Sequence, residues 1–380
     1  MAPPHILHVH STFALGGKEA RAVRLMNAFG KTARHSVLSA VPDQLSARDA
    51  LDPSVSVDFP QDARSLTGAP TPTRLWALAR YARRFDQVLT YNWGAFDMVM
   101  ARRLFGGPPL VHHEDGFNQD ETAALNPKRN FYRRLGLRAA HRLVVPSARL
   151  AGLARTAWKQ PPARIERIPN GIPVSLYAAP PQPELLGLQG ERGEIVIGTV
   201  AGLRQVKNLP RLVRAVAAMK TPKVRLVIVG EGPERERILA EARTHGIAAQ
   251  VELPGFRSEP WRWIGAFDIF ALSSDSEQSP ISLLEAMAAG LPAVTTAVGD
   301  IADMVSPENR EFIVEAEDEP AFTAALDRFA GRQDLRHAVG LANREKAVRE
   351  YDEKAMIARY ARLYGEAIGR PRAFTPAQAE

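Results

Sequence analysis

The 380-residue sequence contains no cysteine, which excludes a disulfide scaffold, thiolate zinc sites and a cysteine nucleophile. It also contains no Asp-x-Asp pair, so the usual carboxylate grip on a metal-bound diphosphate is missing. No stretch reaches the roughly 18 uninterrupted apolar residues that a membrane span needs; even LLEAMAAGLPAVTTAV carries Glu285 and Pro292. The start, MAPPHILHVH, has neither a basic leading segment nor a long apolar core nor a small-residue cleavage site, so no signal peptide is expected. Together these absences predict a soluble, cytoplasmic chain.

Charged residues make up 24% of the chain and the hydrophobic set 45%, a globular balance that excludes wholesale disorder. The net charge of +7 is unevenly placed. Residues 1–180 hold 24 Lys and Arg against 13 Asp and Glu, and the remainder holds 25 against 29. A basic front half and a slightly acidic back half suggest two units facing different partners. The front half suits phosphates, anionic lipid or nucleic acid; a solvated, arginine-rich surface explains it equally well.

Short apolar runs alternate with helical patterns along the whole chain, the pattern of parallel α/β architecture. HILHVH reads as a first strand, followed by a loop with Gly16-Gly17 and a helix over about 18–29. HSVLSAV, DQVLTYN, PLVHH and HRLVVPS read as further strands, and RIPNGI as a short strand with an Asn-Gly turn. The stretch 179–193, rich in Pro, Gly and Gln, reads as a linker between a domain over 1–178 and a domain over 194–355. EIVIGTV then restarts the alternation, and a closing helix over 356–370 and a flexible tail over 371–380 follow. The predicted picture is two doubly wound Rossmann-like α/β domains with an interdomain cleft, because ligands bind outside the carboxyl ends of such strands.

The stretch SSDSEQSPISLLEAMAAGLP carries the most information. Ser279 reads as a helix N-cap, Pro280 as the first helical residue and Gly290 as the stop. Glu277 precedes that helix and Glu285 lies in its second turn. The N–H groups of Ile281 and Ser282 offer an anion site, and a carboxylate, which only accepts hydrogen bonds, suits a pair of ribose hydroxyls. In GLRQVKN, Arg204 and Lys207 occupy a strand-to-helix loop where a diphosphate would lie. Gly16-Gly17 permit close backbone approach to a phosphate or a sugar. In VHHEDGF, adjacent His112 and His113 point to opposite faces of a strand and so cannot share one metal; a sugar contact and a capped turn both remain open. KRNFYRRLGLRAAHR reads either as a lipid-facing amphipathic helix or as one packed by Phe131, Leu135 and Leu137 with its arginines in water. The run Gly230-Glu231-Gly232-Pro233 lacks the third glycine and the acidic partner of a dinucleotide site, so NAD is not expected.

The ordered set of Gly16-Gly17, IPNGI, GLRQVKN, VIVGEGP, LPGF and Glu277-x7-Glu285 resembles the retaining, nucleotide-sugar-dependent glycosyltransferases of family 4, or group 1, which have the two-Rossmann GT-B fold. The markers run over about residues 5–305, and YDEKAMIARYARLYGEAI resembles the family's closing helix. The resemblance implies that Glu285 holds the ribose hydroxyls and Glu277 sits by the transferred sugar. It also implies that Arg204 and Lys207 bind the diphosphate with help from the Ile281 and Ser282 N–H groups, and that Gly16-Gly17 close over it. Phe256 and Arg257 would border the base. Two departures stand out. Many members place the arginine two residues earlier, where this chain has Gly202, and many have His-Gly where it has Asp115-Gly116. The catalytic-side histidine is therefore open between His112, His113 and none.

By this resemblance the reaction is a retaining transfer from a UDP- or GDP-sugar to a saccharide acceptor. Cations and a helix N-terminus can stabilise the leaving diphosphate without a metal, so no metal or other cofactor is expected. The basic first domain suggests a lipid-linked acceptor at the inner face of the plasma membrane, as in bacterial cell-surface polysaccharide assembly. The alternatives are a nucleotide-sugar epimerase on the same fold and a basic nucleic-acid-binding protein. The latter is disfavoured by the acidic second half and by the lack of any recognised nucleic-acid motif.

Overall fold

A computed structural model describes residues 2–63, 65–116, 126–188 and 193–375. The chain forms two compact units: residues up to Asn170 together with residues from Lys354 onward, and residues 171–353.

The first unit is built on a seven-stranded parallel sheet of β1 (His5–His10), β2 (Arg34–Ser39), β3 (Val57–Asp58), β4 (Gln87–Tyr91), β5 (Leu110–His113), β6 (Arg142–Val145) and β7 (Ile165–Arg167), in the order β3-β2-β1-β4-β5-β6-β7. Its helices are α1 (Gly17–Phe29), α2 (Pro72–Ala82), α3 (Phe96–Phe105), α4 (Pro127–Gly136) and α5 (Ala148–Thr156). The second unit has a six-stranded parallel sheet of β8 (Ile195–Val200), β9 (Val224–Val229), β10 (Val251–Gly255), β11 (Ile269–Leu272), β12 (Ala293–Thr296) and β13 (Ile313–Val314), in the order β10-β9-β8-β11-β12-β13. Its helices are α6 (Leu209–Ala217), α7 (Arg235–Thr244), α8 (Ile281–Ala288), α9 (Ile301–Met304), α10 (Glu319–Ala330) and α11 (Gln333–Glu350). The last helix, α12 (Glu353–Ala367), packs into the first unit.

Both sheets are covered on two faces, which is why their strands read as nearly continuous apolar runs. In the first unit, Leu7, Val9 and Val88 pack with α2, α3 and Trp158, while Ile6, Leu89 and Val111 pack with α1 and the Tyr360 and Tyr364 rings of α12. The second sheet is likewise sandwiched, with Val227, Phe270 and Ala293 against α8 and with Leu226, Ile228 and Val294 against α6 and α10.

Several boundaries differ from those read in the sequence. The units divide at Asn170–Gly171, not at 178, because Ile172 pairs with Asp352 and packs beside Val174, Tyr177, Leu186 and Leu188 in the second unit. Most of the expected linker is thus packed structure: the Gln182 N–H donates to the Arg262 carbonyl at 2.6 Å. Residues 189–192 lie outside the described residues. The closing helix begins at Glu353, earlier than expected. The tail is ordered through Phe374, which is buried against Phe29 and Tyr364; residues 376–380 are outside the described set. Pro280 is the N-cap of α8, so the helix starts one residue later than expected. No helix among the described residues is long and apolar enough to cross a membrane.

Candidate active site

In the second unit, four loops leave the sheet at the carboxyl ends of adjacent strands: 201–208 after β8, 230–234 after β9, 256–259 after β10 and 273–280 after β11. That edge is where ligands bind in such sheets. The first two loops are clamped together. The Leu203 N–H donates to the Glu231 carbonyl at 2.8 Å, and the Glu234 N–H donates to the Leu203 carbonyl at 3.0 Å. Gly230, at φ +144°, permits this: a Cβ there would stand 2.0 Å from the Ala201 carbonyl oxygen. This backbone approach accounts for the Gly-Glu-Gly run without any nucleotide.

The loops after β8 and β11 meet through charge. Lys207 Nζ donates to Glu277 Oε1 at 2.5 Å, and the Ser274 hydroxyl donates to the same oxygen at 2.7 Å. Thr296 braces the turn by donating to the Ser274 carbonyl at 2.6 Å. Arg211 ion-pairs with Asp275 at 2.8 Å and donates to the Ser273 carbonyl at 2.8 Å. Glu277 is therefore held by one oxygen, while Oε2 has no partner among the described residues and can accept from a ligand hydroxyl. Arg204, in extended backbone at the start of the same turn, is exposed and makes no ion pair among the described residues. Beyond Glu277, α8 presents the N–H groups of Ile281 and Ser282 in its first turn, and Glu285 lies half-buried in the second. The opposite side of α8, with Leu283, Leu284 and Met287, is buried in the core and fixes the helix in place.

Phe256 and Arg257 follow β10, and the Phe256 ring is 56% exposed. The Phe256 N–H is 3.4 Å from Glu231 Oε1, and Arg257 donates to the Leu185 carbonyl at 3.3 Å. The structure thus places Arg204, Lys207, Phe256, Arg257, Glu277, Ile281, Ser282 and Glu285 in or beside the carboxyl-end loops of one sheet. It joins Lys207 directly to Glu277.

The first-unit candidates fare differently. Gly16 is the N-cap of α1 and Gly17 its first residue. Glu19 folds back so that a Cβ on Gly16 would stand 3.0 Å from its carboxylate, and it is paired with Lys18. Burial raises the Glu19 pKa against the opposing effect of Lys18. His112 and His113 are fully buried. His113 Nδ1 faces the Thr90 carbonyl at 3.1 Å, so that nitrogen carries the proton, and Nε2 accepts from the Tyr364 hydroxyl at 2.8 Å. Burial pushes the His113 pKa down to about 3. His112 Nδ1 bonds the Thr90 hydroxyl at 2.8 Å, and Nε2 lies 3.6 Å from Glu114. Both imidazoles serve the interior, and neither reaches the surface to meet a sugar.

The sequence reading missed the group that does gather at this strand end. Arg21 of α1 binds Asp115 through both guanidinium nitrogens and donates to Asn170 at 3.1 Å. A signal existed for Glu19, since 19, 22, 26 and 29 form the buried stripe of α1; nothing local announces Arg21. The α4 segment also corrects the expected packing. Arg133 is fully buried over the Trp93 and Trp158 rings, whereas Phe131 is 62% exposed.

Comparison with known proteins matches residues 188–346 to Glycosyl transferases group 1 and residues 15–176 to Glycosyltransferase Family 4. The D-inositol 3-phosphate glycosyltransferase of Mycobacterium marinum is 28% identical over 327 residues, 78% of this chain and 69% of that protein. The N-acetyl-alpha-D-glucosaminyl L-malate synthase of Bacillus anthracis is 24% identical over 176 residues, 46% of each chain. The chain spans about half the length of several curated relatives that it matches. Among solved structures, sucrose-phosphate synthase from Thermosynechococcus elongatus has a TM-score of 0.77 at 19% identity, covering 96% of this chain and 99% of that one. Anabaena HepE, in complex with UDP, has a TM-score of 0.76 at 17% identity, covering 95% and 100%. These likenesses show the GT-B fold. The two family matches run through both sheets and agree with the motif order along the chain, so the chain belongs to the family 4, or group 1, glycosyltransferases.

Proposed function

We propose that the protein is a retaining glycosyltransferase that moves a sugar from a UDP- or GDP-sugar to a saccharide acceptor in bacterial cell-surface polysaccharide assembly. The observation that carries this reading is the Lys207–Glu277 pair beside Arg204 and the first turn of α8. A departing nucleoside diphosphate develops negative charge, and Lys207 and Arg204 with a helix N-terminus stabilise it where it forms. Glu277, with one oxygen held by Lys207 and Ser274, offers the other to a hydroxyl of the transferred sugar. Glu285, one turn along α8, accepts from the ribose hydroxyls. The binding of UDP by HepE and the polysaccharide-related names of several relatives support the donor and pathway class. Transfer proceeds without a metal, since the cations do the neutralising.

Thermal shifts in EDTA with UDP-, GDP- and ADP-sugars test this. Ligand at about 100 times its Kd adds about 2.7 kcal/mol to native stability, so one nucleotide class raises Tm clearly and Glu285→Ala abolishes the rise. A flat panel in both proteins defeats the donor reading. A rise that appears only when Mn²⁺ or Mg²⁺ replaces EDTA defeats the metal-free part.

A lipid-linked acceptor at an anionic membrane completes the proposal. The outer face of α4 and the turn after it presents Phe131 together with Lys128, Arg134 and Arg138, all exposed. An aromatic ring beside cations that make no ion pair among the described residues suits the headgroup region. The protein should float with phosphatidylglycerol vesicles at low salt and detach at about 1 M salt, where the screening length is about 3 Å. A Phe131→Ser/Arg134→Gln variant should stay unbound. Equal flotation with neutral vesicles contradicts electrostatic docking.

A further inference from the structure

The helix that carries the Ile281 and Ser282 N–H groups is short. α8 has eight residues, about 12 Å at 1.5 Å per residue, so its first turn goes where its last turn is held. Its first turn lies at the carboxyl edge of the sheet. Its other end passes through Gly290, Leu291 and Pro292 into β12 at the opposite edge. Holding that far turn therefore sets where those N–H groups stand.

α11 does the holding. Gly340 is buried in the interior of this 18-residue helix, where glycine is the least favourable residue after proline. A Cβ there would overlap the Gly290 carbonyl oxygen and stand 2.9 Å from its carbon. The glycine thus lets α11 lie directly on the turn that ends α8. One turn further along α11, Asn343 is fully buried. Its amide nitrogen donates to the Leu291 carbonyl at 2.9 Å and to Asn309 Oδ1 at 2.8 Å. Its oxygen accepts from the Ser306 N–H at 3.0 Å. Asn309 in turn holds the first residue of β12, accepting from the Ala293 N–H at 2.8 Å and donating to the Ala293 carbonyl at 2.7 Å. Apolar side chains would bury this surface equally well. Two amides spent on backbone groups fix distance and direction besides.

We propose that Gly340 and Asn343, which meet α8 at the end away from the ligand edge, are positioning residues for the nucleotide site. This deepens the transferase reading and rests on it, since α11 then sets how closely the first turn of α8 and Glu285 meet the diphosphate and ribose. The test is calorimetric titration of the full chain with UDP and with GDP, in wild type, Gly340→Ala and a control. The control, Ile238→Ala, opens a cavity in the core on the other face of the same sheet. At a temperature where all three are folded, Gly340→Ala should bind the nucleotide at least about tenfold more weakly, because small misplacements of a gripping group are costly. Ile238→Ala should bind like wild type in spite of a comparable drop in Tm. Unchanged affinity in Gly340→Ala, or an equal loss in both variants, overturns the proposal. Should Gly340→Ala fail to fold, Asn343→Ser takes its place, since it withdraws the amide from the Leu291 carbonyl without adding an atom. Hydrogen exchange of the ligand-free proteins separates the two readings. The α8 amides should exchange at least about tenfold faster in Gly340→Ala than in Ile238→Ala. Loosened α8 with no nucleotide bound by wild type rejects only the donor site, and nucleotide binding with α8 exchange unchanged rejects only the positioning role.

Discussion

Acidification from pH 7 to about pH 5 should destabilise the first unit by several kcal/mol while leaving the second nearly unchanged. Five histidines are buried in the first unit, and four of them, His8, His10, His35 and His113, carry this prediction. His8 hydrogen-bonds Tyr91 at 3.1 Å and His35 at 3.0 Å. His10 stacks on Tyr91 at 4.0 Å, and neither of its ring nitrogens has a partner among the described residues. Burial, reinforced by neighbouring imidazoles and cations, drives all four pKa values down, to about 3 for His35 and His113 and well below the ordinary value for His8 and His10. The folded unit therefore refuses protons that the unfolded chain accepts below about pH 6.5. Stability is full above that value and is lost as pH falls, until the folded pKa values are reached. Each group contributes about 1.4 kcal/mol per pH unit across that window, so four lose up to about 8 kcal/mol between pH 7 and 5, against a typical native stability of about 5–15 kcal/mol. The second unit's His245 and His337 are exposed. Calorimetric scans across this range should show one transition moving sharply down and one holding. His10→Leu should remove about one proton's worth of the slope. A flat profile for both transitions would mean that these imidazoles are not buried neutral.

Replacing Asp115 by alanine should destabilise the same unit by about 3–5 kcal/mol, because it strands a buried guanidinium. Arg21 is 4% exposed and spends both terminal nitrogens on Asp115. Burial by itself would raise the Asp115 pKa, yet the Arg21 charge and hydrogen bond hold it below the usual carboxylate range. Removing both partners with Arg21→Leu/Asp115→Leu should recover most of the loss, since an apolar pair leaves no charge unanswered. Urea unfolding of the two singles and the double yields the coupling directly. A loss below about 1 kcal/mol for Asp115→Ala would show that water reaches Arg21 and that the pair behaves as a surface bridge.

What could be read without coordinates was local. Alternation of period marked β1, β2, β4, β5, β6 and β8, whereas the short strand read in RIPNGI stands earlier, at Ile165–Arg167, and the loops at the carboxyl ends followed from those strands. That is why Arg204, Lys207, Glu277 and Glu285 could be picked out: a residue just past a parallel strand stands at the ligand edge whatever the rest of the chain does. The same reasoning failed at His112 and His113. Their position at a strand end was right, but His113 is buried against Tyr360 and Tyr364 of α12, which return to this sheet from the far end of the chain, and His112 is buried on the other face against Phe96 of α3. The helix at 127–136 shows the limit at shorter range. Its pattern does not say which of two opposite faces meets the sheet, and the buried side took Arg133 while Phe131 turned outward.

By itself, then, the sequence determined the parallel α/β class, the strand-end loops and the family, because periodicity and spacing act between near neighbours. Only the tertiary structure decided the division at Asn170–Gly171, the Arg21–Asp115 pair across 94 residues and the histidine-rich interior. Each of these arises where segments far apart in sequence are pressed together by burial, and no local pattern records which partner a buried charge or ring will meet.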